Sequence, residues 1–468
     1  MRLSKLAYVV LVTLCGSVAM GAEREATDAG FVISIDQSAW QKWGFQYPVT
    51  YIFDVKDAAP NARVSQRDRD TDSWSPLEVR TAADFFNGIE CARFDRQAGR
   101  ACVSIGFKNA PTIELRFENI GAVKFLSTAR YYDNRQAAYT LSNDNWGCNP
   151  WANPGAPWKG ETDDASDNYQ AALHVCRSFH LPLSIAINSR SAGGEAVWQR
   201  MQEELDREDN SWEPAVHGQT HPKDANTYSV RGYQAEIFGC RDDILQHLNK
   251  IPYGGRIYEH ILTTGYGDEK ILRLDAGEFL FVRGFNWLDN PTSIGWVPWN
   301  DERHFYGVGG LNTKGYDRIM EQREPHGRYS TADVADLNQR FDEVVEAGGV
   351  FYALWHPDRF KNSVIYDPRP GIDDQQGSTL MQHLAHVANR RNIWYVANGW
   401  MYSYRYVAEH ARVTPAPPEP IAAEHVAQPP SAVESCHPAS NDANVFYACQ
   451  GVAYSAPYDS CCKMHCSR

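Results

Sequence analysis

The sequence predicts an α/β protein built around a parallel sheet, with a β-rich segment before it and a small Cys-rich module after it. Three observations carry this. From about residue 136, short β-like runs alternate with amphipathic helical runs over roughly 270 residues. Before that point strand-like alternation dominates and helical periodicity is scarce. Beyond residue 412 the composition turns to Pro and Ala, and then to clustered Cys. The 468-residue chain is 43% hydrophobic and 22% charged, a globular balance that excludes wholesale disorder or a fibrous repeat. Its net charge of −13 and the lack of a basic stripe exclude nucleic acid as a partner.

Taken in order, residues 1–22 read as a secretory signal, with Arg2 and Lys5 at the charged end, an apolar run over 6–14 and small residues near Gly21. That run is too short to span a bilayer, so the expected location is secreted or periplasmic and the chain is not expected to cross a membrane. Residues 23–135 form the N-terminal β-rich domain. Its clearest strands are 49–53, 101–105 and 112–117, and the expectation is a small β-sandwich. Of 11 Cys, Cys15 lies in the signal, which leaves an even number for an oxidising compartment. Cys91 and Cys102 flank a polar loop and are the easiest disulfide to propose.

Residues 136–412 carry the repeated β–α units. Strands are expected at 138–142, 183–187, 215–216, 279–282, 350–354 and 393–396. Helices are expected at 167–179, 195–205, 241–248, 330–347 and 378–389. Two are well marked. Val197, Trp198, Met201 and Leu205 form one face of 195–205, and Ser330 with Asp333 caps the helix that Gly348-Gly349 ends. Such units make a parallel sheet, open or closed into a barrel, and place chemistry at the C-terminal strand ends. Residues 413–434 read as a Pro/Ala-rich linker and 435–468 as a Cys-rich module. That module holds Cys436, Cys449, Cys461, Cys462 and Cys466, an odd set that either pairs once with the body or leaves a thiol. Zinc binding by its last three Cys with His465 is the competing reading.

The strand ends hold the candidate chemistry. Asn143-Asp144-Asn145 follows the first strand, His217-Gly218-Gln219-Thr220-His221 the third, and Trp355-His356 a later one. With 15 His in the chain, the His-x3-His spacing alone decides nothing. In context, Gly218 and Pro222 keep the pair off a helix and on a strand-end loop, and Gly after the first His removes the zincin reading. Two neutral imidazoles and a carboxylate suit zinc or a similar divalent ion. Asp144 can supply a carboxylate and act as base, and His356 can act as acid. Alone, Asp144 also reads as a turn former and His356 as a packed core histidine; their convergence at strand ends favours a site.

The order of these motifs resembles the polysaccharide deacetylase family, the nodulation-protein-B-like carbohydrate esterases, over about residues 136–412. Thr140-Leu141-Ser142-Asn143-Asp144-Asn145 resembles the first family motif, Thr-Phe-Asp-Asp-Gly. His217 to His221 matches the spacing of His-(Ser/Thr)-x-x-His, Pro252-Tyr253-Gly254 matches Pro-Tyr-Gly, and Leu354-Trp355-His356 matches Leu-x-His. The resemblance implies a distorted (β/α)7 barrel, with Asp144 as base, His217, His221 and Asn145 as metal ligands, Tyr253 giving a backbone N–H to the oxyanion hole, and His356 as acid. Asn145 stands where the family has a ligating Asp, and a neutral amide is the weaker ligand. Asp163-Asp164 is the alternative pair, with Asp144 preferred. The Arg that normally precedes Pro-Tyr is missing, and Arg256 or Arg231 is the candidate substitute. The implied activity is a secreted, metal-dependent hydrolase, zinc favoured, that removes acetyl groups from a polysaccharide or oligosaccharide by amide or ester cleavage. The alternative is a carbohydrate-binding protein on a catalytically degenerate barrel.

Overall fold

A computed structural model describes residues 31–146, 173–283, 331–355 and 379–415, apart from breaks at 39–43, 45–46, 72, 107–110, 174–175, 193, 210–211, 250, 253–254, 264–267 and 276–277. The expected signal segment, the rest of the expected linker beyond Pro415 and the expected Cys-rich module lie outside the described residues. Residues up to Ala416 form one compact unit.

The N-terminal region is two five-stranded sheets. Strands β1 (Phe31–Asp36), β2 (Val49–Lys56), β3 (Arg63–Asp68), β4 (Ser75–Pro76), β5 (Glu78–Arg80), β6 (Cys91–Asp95), β7 (Arg100–Ile105), β8 (Thr112–Glu118) and β9 (Ala122–Thr128) supply nine of the ten. The tenth is β17 (Arg412–Pro415), from the far end of the unit. The orders are β17-β1-β8-β3-β4 and β5-β6-β7-β2-β9. Alternation along β2 and β8 turns Phe53 and Phe117 toward each other, ring centroids 4.9 Å apart and edge to face. Such a pair adds about 0.5–1.5 kcal/mol beyond its buried area.

Two expectations are corrected here. Residues 413–415, assigned to the linker, pair along β1, with Ile33 opposite Pro415 and Ile35 opposite Val413. A proline is tolerated there because β17 is an edge strand. Cys91 and Cys102 are not bridged; both are buried thiols. The β6–β7 register sets Cys91 opposite Ser104 and Cys102 opposite Arg93, a diagonal placement of about 7–8 Å that is too long for a disulfide. Burial pushes each thiol up to about 11.

Among the described residues the second half is a seven-stranded sheet in which every pairing is parallel. Its strands are β10 (Ala137–Trp146), β11 (Leu183–Ile187), β12 (Trp212–Val216), β13 (Glu259–Ile261), β14 (Phe281–Arg283), β15 (Val350–Trp355) and β16 (Ile393–Tyr395). The order is β14-β13-β12-β11-β10-β15, and β10 forks, pairing first with β16 and further along with β11. Among the described residues β14 and β15 form the two ends of the path, so the sheet is open there. Among the described residues the sheet is accompanied by helices α1 (Glu195–Leu205), α2 (Ala225–Arg231), α3 (Tyr233–His247), α4 (Glu269–Asp275), α5 (Thr331–Glu346), α6 (Thr379–Val387) and α7 (Asn398–His410).

Parallel partners share a face, so register sorts the side chains. Leu141, Leu183, Ile185 and Val216 lie on the outer face, in one core with Trp198 and Met201 of α1, Ile237 and Ile244 of α3, and Phe341 of α5. The inner face alternates with it and is unusually polar: Thr140, Ser184, Glu213 and Glu259, with Ala186, Ala215 and Ile261 packed among them. Helix α7 covers this inner face and is buried almost all round. It also belongs to the core of the β-rich half. The Tyr404 hydroxyl donates to Ala129 O at 3.0 Å, and Trp394 Nε1 donates to the Tyr47 hydroxyl at 2.8 Å. The expected boundary at 135/136 therefore divides sequence patterns, not cores. No helix among the described residues is long and apolar enough to cross a membrane.

Candidate functional site

His217 is the first residue beyond β12, and alternation carries it onto the inner face, two steps past Ala215 and four past Glu213. Its Nδ1–H donates to Ile261 O on the neighbouring strand at 2.7 Å. That bond fixes the tautomer and puts the lone pair on Nε2, the arrangement a metal-ligating histidine needs. The rings of His217 and His221 meet edge to face with centroids 5.0 Å apart.

The loop between them is tightly specified. Gly218 has φ +78°, and a Cβ there would lie 2.8 Å from Pro222 Cδ, so the residue after the first His has to be glycine. His221 itself has φ +59°, a left-handed conformation that costs a non-glycine residue about 1–2 kcal/mol. Such strain persists where surrounding contacts over-determine the backbone, typically at functional sites. Here the His217 N–H donates to Ile187 O at 3.1 Å, and Arg190 N–H to Gln219 O at 3.0 Å. Asn188 Nδ2 donates to His217 O and to Gly218 O, the latter at 3.1 Å, and the Thr263 hydroxyl donates to Pro222 O. From α3, Glu236 accepts Thr220 N–H at 2.9 Å and Thr220 Oγ1–H at 2.7 Å.

Asp144 and Asn145 fall within β10, between Asn143, which pairs with Ile185, and Trp146, which pairs with Ile187. The register shift between those pairs is a bulge, a device that re-aims side chains at the rims of sheets. It puts their backbone at the same C-terminal edge of the sheet as His217; their side chains lie outside the described residues. Tyr253, His356 and the alternative Asp163-Asp164 also lie outside the described residues. The structure therefore brings His217 and His221 together and, of the other candidates, describes the backbone of Asp144 and Asn145 alone. Arg231 donates to Gln219 Oε1 at 2.6 Å and lies 3.4 Å from Glu236, so it tethers the histidine loop. Arg256 is exposed.

Sequence reasoning missed the polar ladder beneath the histidines. Glu213 Oε1 accepts from Ser184 Oγ at 2.8 Å and from Gly399 N–H at 2.6 Å, while Asn398 Nδ2 donates to Glu259 Oε1 at 2.9 Å. Asn398 N–H donates to Ser184 Oγ at 2.9 Å, and Thr140 Oγ1 donates to Asn398 Oδ1. Glu213 thus caps the first turn of α7 from a strand, where an acidic group meets the positive end of the helix. Burial, and then the nearby Glu259, hold its carboxyl well above the usual range.

Among the described residues no group of three His, Cys, Asp or Glu side chains is placed to hold a metal. The donor set still fits a divalent ion in one respect that the structure shows: a buried His217 with its tautomer set by a backbone carbonyl, beside a second imidazole.

No family model and no curated protein matches the chain. Solved structures that resemble it include a Mycobacterium smegmatis protein described as a polysaccharide deacetylase, at 13% identity over 61% of this chain and 93% of that one, TM-score 0.39. A family 4 carbohydrate esterase from Streptomyces lividans is 12% identical over 54% and 86%, TM-score 0.26. The chitin deacetylase of Colletotrichum lindemuthianum is 13% identical over 56% and 85%, TM-score 0.30.

Proposed function

We propose that this chain is a metal-dependent hydrolase that removes acetyl groups from a glycan, on a distorted (β/α)7 barrel of the deacetylase type. The observation that carries the reading is the His217–His221 pair on a strained strand-end loop, with His217 Nδ1–H committed to Ile261 O. His217 and His221 would hold the ion through ring nitrogens, with Asn145 as a weaker third ligand. The ion, zinc by preference, supplies Lewis acidity toward the acetyl carbonyl and lowers the pKa of water. Asp144, at the bulged end of β10, takes the proton from the attacking water. The Tyr253 backbone N–H donates to the developing oxyanion, and His356 gives a proton to the departing amine or alcohol. The inner face below is closed by α7 and the Glu213 ladder, so substrate enters from the C-terminal side of the strands. Export from the cytoplasm belongs to the same proposal.

Elemental analysis of purified protein tests the site. His217→Ala and His221→Ala are each expected to lose bound metal and keep the far-UV spectrum of the parent. Stoichiometric metal in both variants overturns the assignment.

A further inference from the structure

We infer that Glu236 is a positioning residue for the histidine loop, setting from α3 the backbone from which His217 and His221 present their rings and so setting metal affinity. The inference rests on the metal-site reading above. Gly218 has no side chain with which to hold the loop, and His221 sits at φ +59°. The hold comes from outside. Glu236 is fully buried, and both of its carboxylate oxygens end on Thr220, the residue before His221: Oε2 on the N–H at 2.9 Å and Oε1 on the hydroxyl at 2.7 Å. Its own carbonyl accepts the Gln219 N–H at 3.1 Å. Arg231 lies 3.4 Å from Oε1 and grips Gln219 Oε1 at 2.6 Å. Two turns further along α3, Asp243 Oδ2 accepts from Gln219 Nε2 at 2.7 Å and from Ser189 Oγ at 2.6 Å.

The helix is shaped to come this close. A Cβ on Gly239 would lie 2.8 Å from Gln219 Nε2, so only glycine lets the Gln219 amide lie against the helix. A buried carboxylate costs much desolvation, and in some proteins what it brings is one specified conformation rather than net stability. Among the described residues the hydrogen bonds and the ion pair of that carboxylate all serve the loop: Thr220 directly, and Gln219 through the shared Arg231. Groups one step removed from a metal ligand typically set about 10- to 100-fold in affinity.

The test uses the full chain and Zn²⁺, titrated against a chromophoric chelator, with the visible spectrum of the Co²⁺ form as a second readout. Glu236→Gln keeps the shape but replaces one acceptor oxygen by a donor facing Thr220. It is expected to weaken Zn²⁺ by about 10- to 100-fold and to alter the Co²⁺ bands, and Glu236→Asp to fall between it and wild type. Asp243→Asn, which disturbs the bonds to Gln219 and Ser189 and leaves Glu236 in place, is expected to weaken Zn²⁺ by less, and it carries the test if Glu236→Gln does not fold. A folded Glu236→Gln, or failing that Asp243→Asn, with wild-type Zn²⁺ affinity and an unchanged Co²⁺ spectrum overturns the inference, even if its thermal stability has dropped. A wild-type chain that binds neither ion overturns the metal-site reading itself, and the inference with it.

Discussion

Replacing Gly399 by alanine puts a methyl group where the inner polar ladder leaves no room. The new Cβ would lie 2.8 Å from Glu213 Oε2, 2.9 Å from Oε1 and 2.8 Å from Tyr258 Cβ. None of these is a flexible tip. Glu213 is pinned by Ser184 and by the Gly399 N–H, and Tyr258 Cβ is fixed to the backbone entering β13. Relief requires the start of α7 to lift from the sheet. Overpacking a close-fitted interior costs about 1–3 kcal/mol. Losing the Gly399-to-Glu213 bond adds about 1 kcal/mol. The expected loss is therefore about 2–4 kcal/mol, with only a few tenths returned by alanine's helix preference at a first turn. Urea unfolding followed by Trp fluorescence measures it. Gly194→Ala, at the N-cap of α1 with nothing within 4 Å of the new Cβ, is the control and is expected to change stability by less than about 1 kcal/mol. If Gly399→Ala is as stable as the control, the close packing of α7 on Glu213 is wrong.

Other perturbations have definite outcomes. Asp144→Asn is expected to slow acetate release by about 100- to 10,000-fold and Asp163→Asn by much less; the reverse order moves the base to the second pair. Glu213 has a folded-state pKa raised above its ordinary 4.5, so its contribution is fully present below that value and is lost as pH rises through the folded pKa. Glu213→Gln is accordingly expected to flatten the fall of stability above pH 4.5, seen in urea midpoints across a pH series; an unchanged pH slope contradicts it. Ending the chain after Ala416 should leave the melting temperature of the first unit unchanged, whereas ending it after Ala411 removes β17 from β1 and should cost about 1–2 kcal/mol. Equal melting temperatures for the two truncations would show that β17 contributes nothing.

Elements with a clean period were legible from the sequence. The stripe Val197, Trp198, Met201, Leu205 marks α1 to the residue, and the buried runs of β2, β7 and β8 mark the strands of the β-rich half. Helix α7 was not, because Trp400, Met401, Tyr402 and Tyr404 are all buried and leave no polar stripe, while Asn398-Gly399 reads as a turn. Strand β13 was missed for a related reason: Glu259-His260 looks like surface until Asn398 and Asp275 appear as their partners, the latter accepting from His260 Nδ1–H at 2.8 Å. In the site, the histidine pair was legible because both rings come from one short loop. The holding groups were not, because Glu236 and Asp243 reach that loop from a helix whose own pattern gives no hint of it. Cys91 and Cys102 misled by proximity in sequence; strand register decides which side chains meet.

The central claim is that a metal held by His217 and His221 serves acetyl removal. The most direct measurement is acetate release from a panel of N- and O-acetylated glycans by wild type and His217→Ala, each as purified, after chelation and after zinc is restored. Release by wild type that stops on chelation, returns with zinc and is absent from His217→Ala throughout is the predicted result. Release that survives chelation, or that His217→Ala retains, contradicts it.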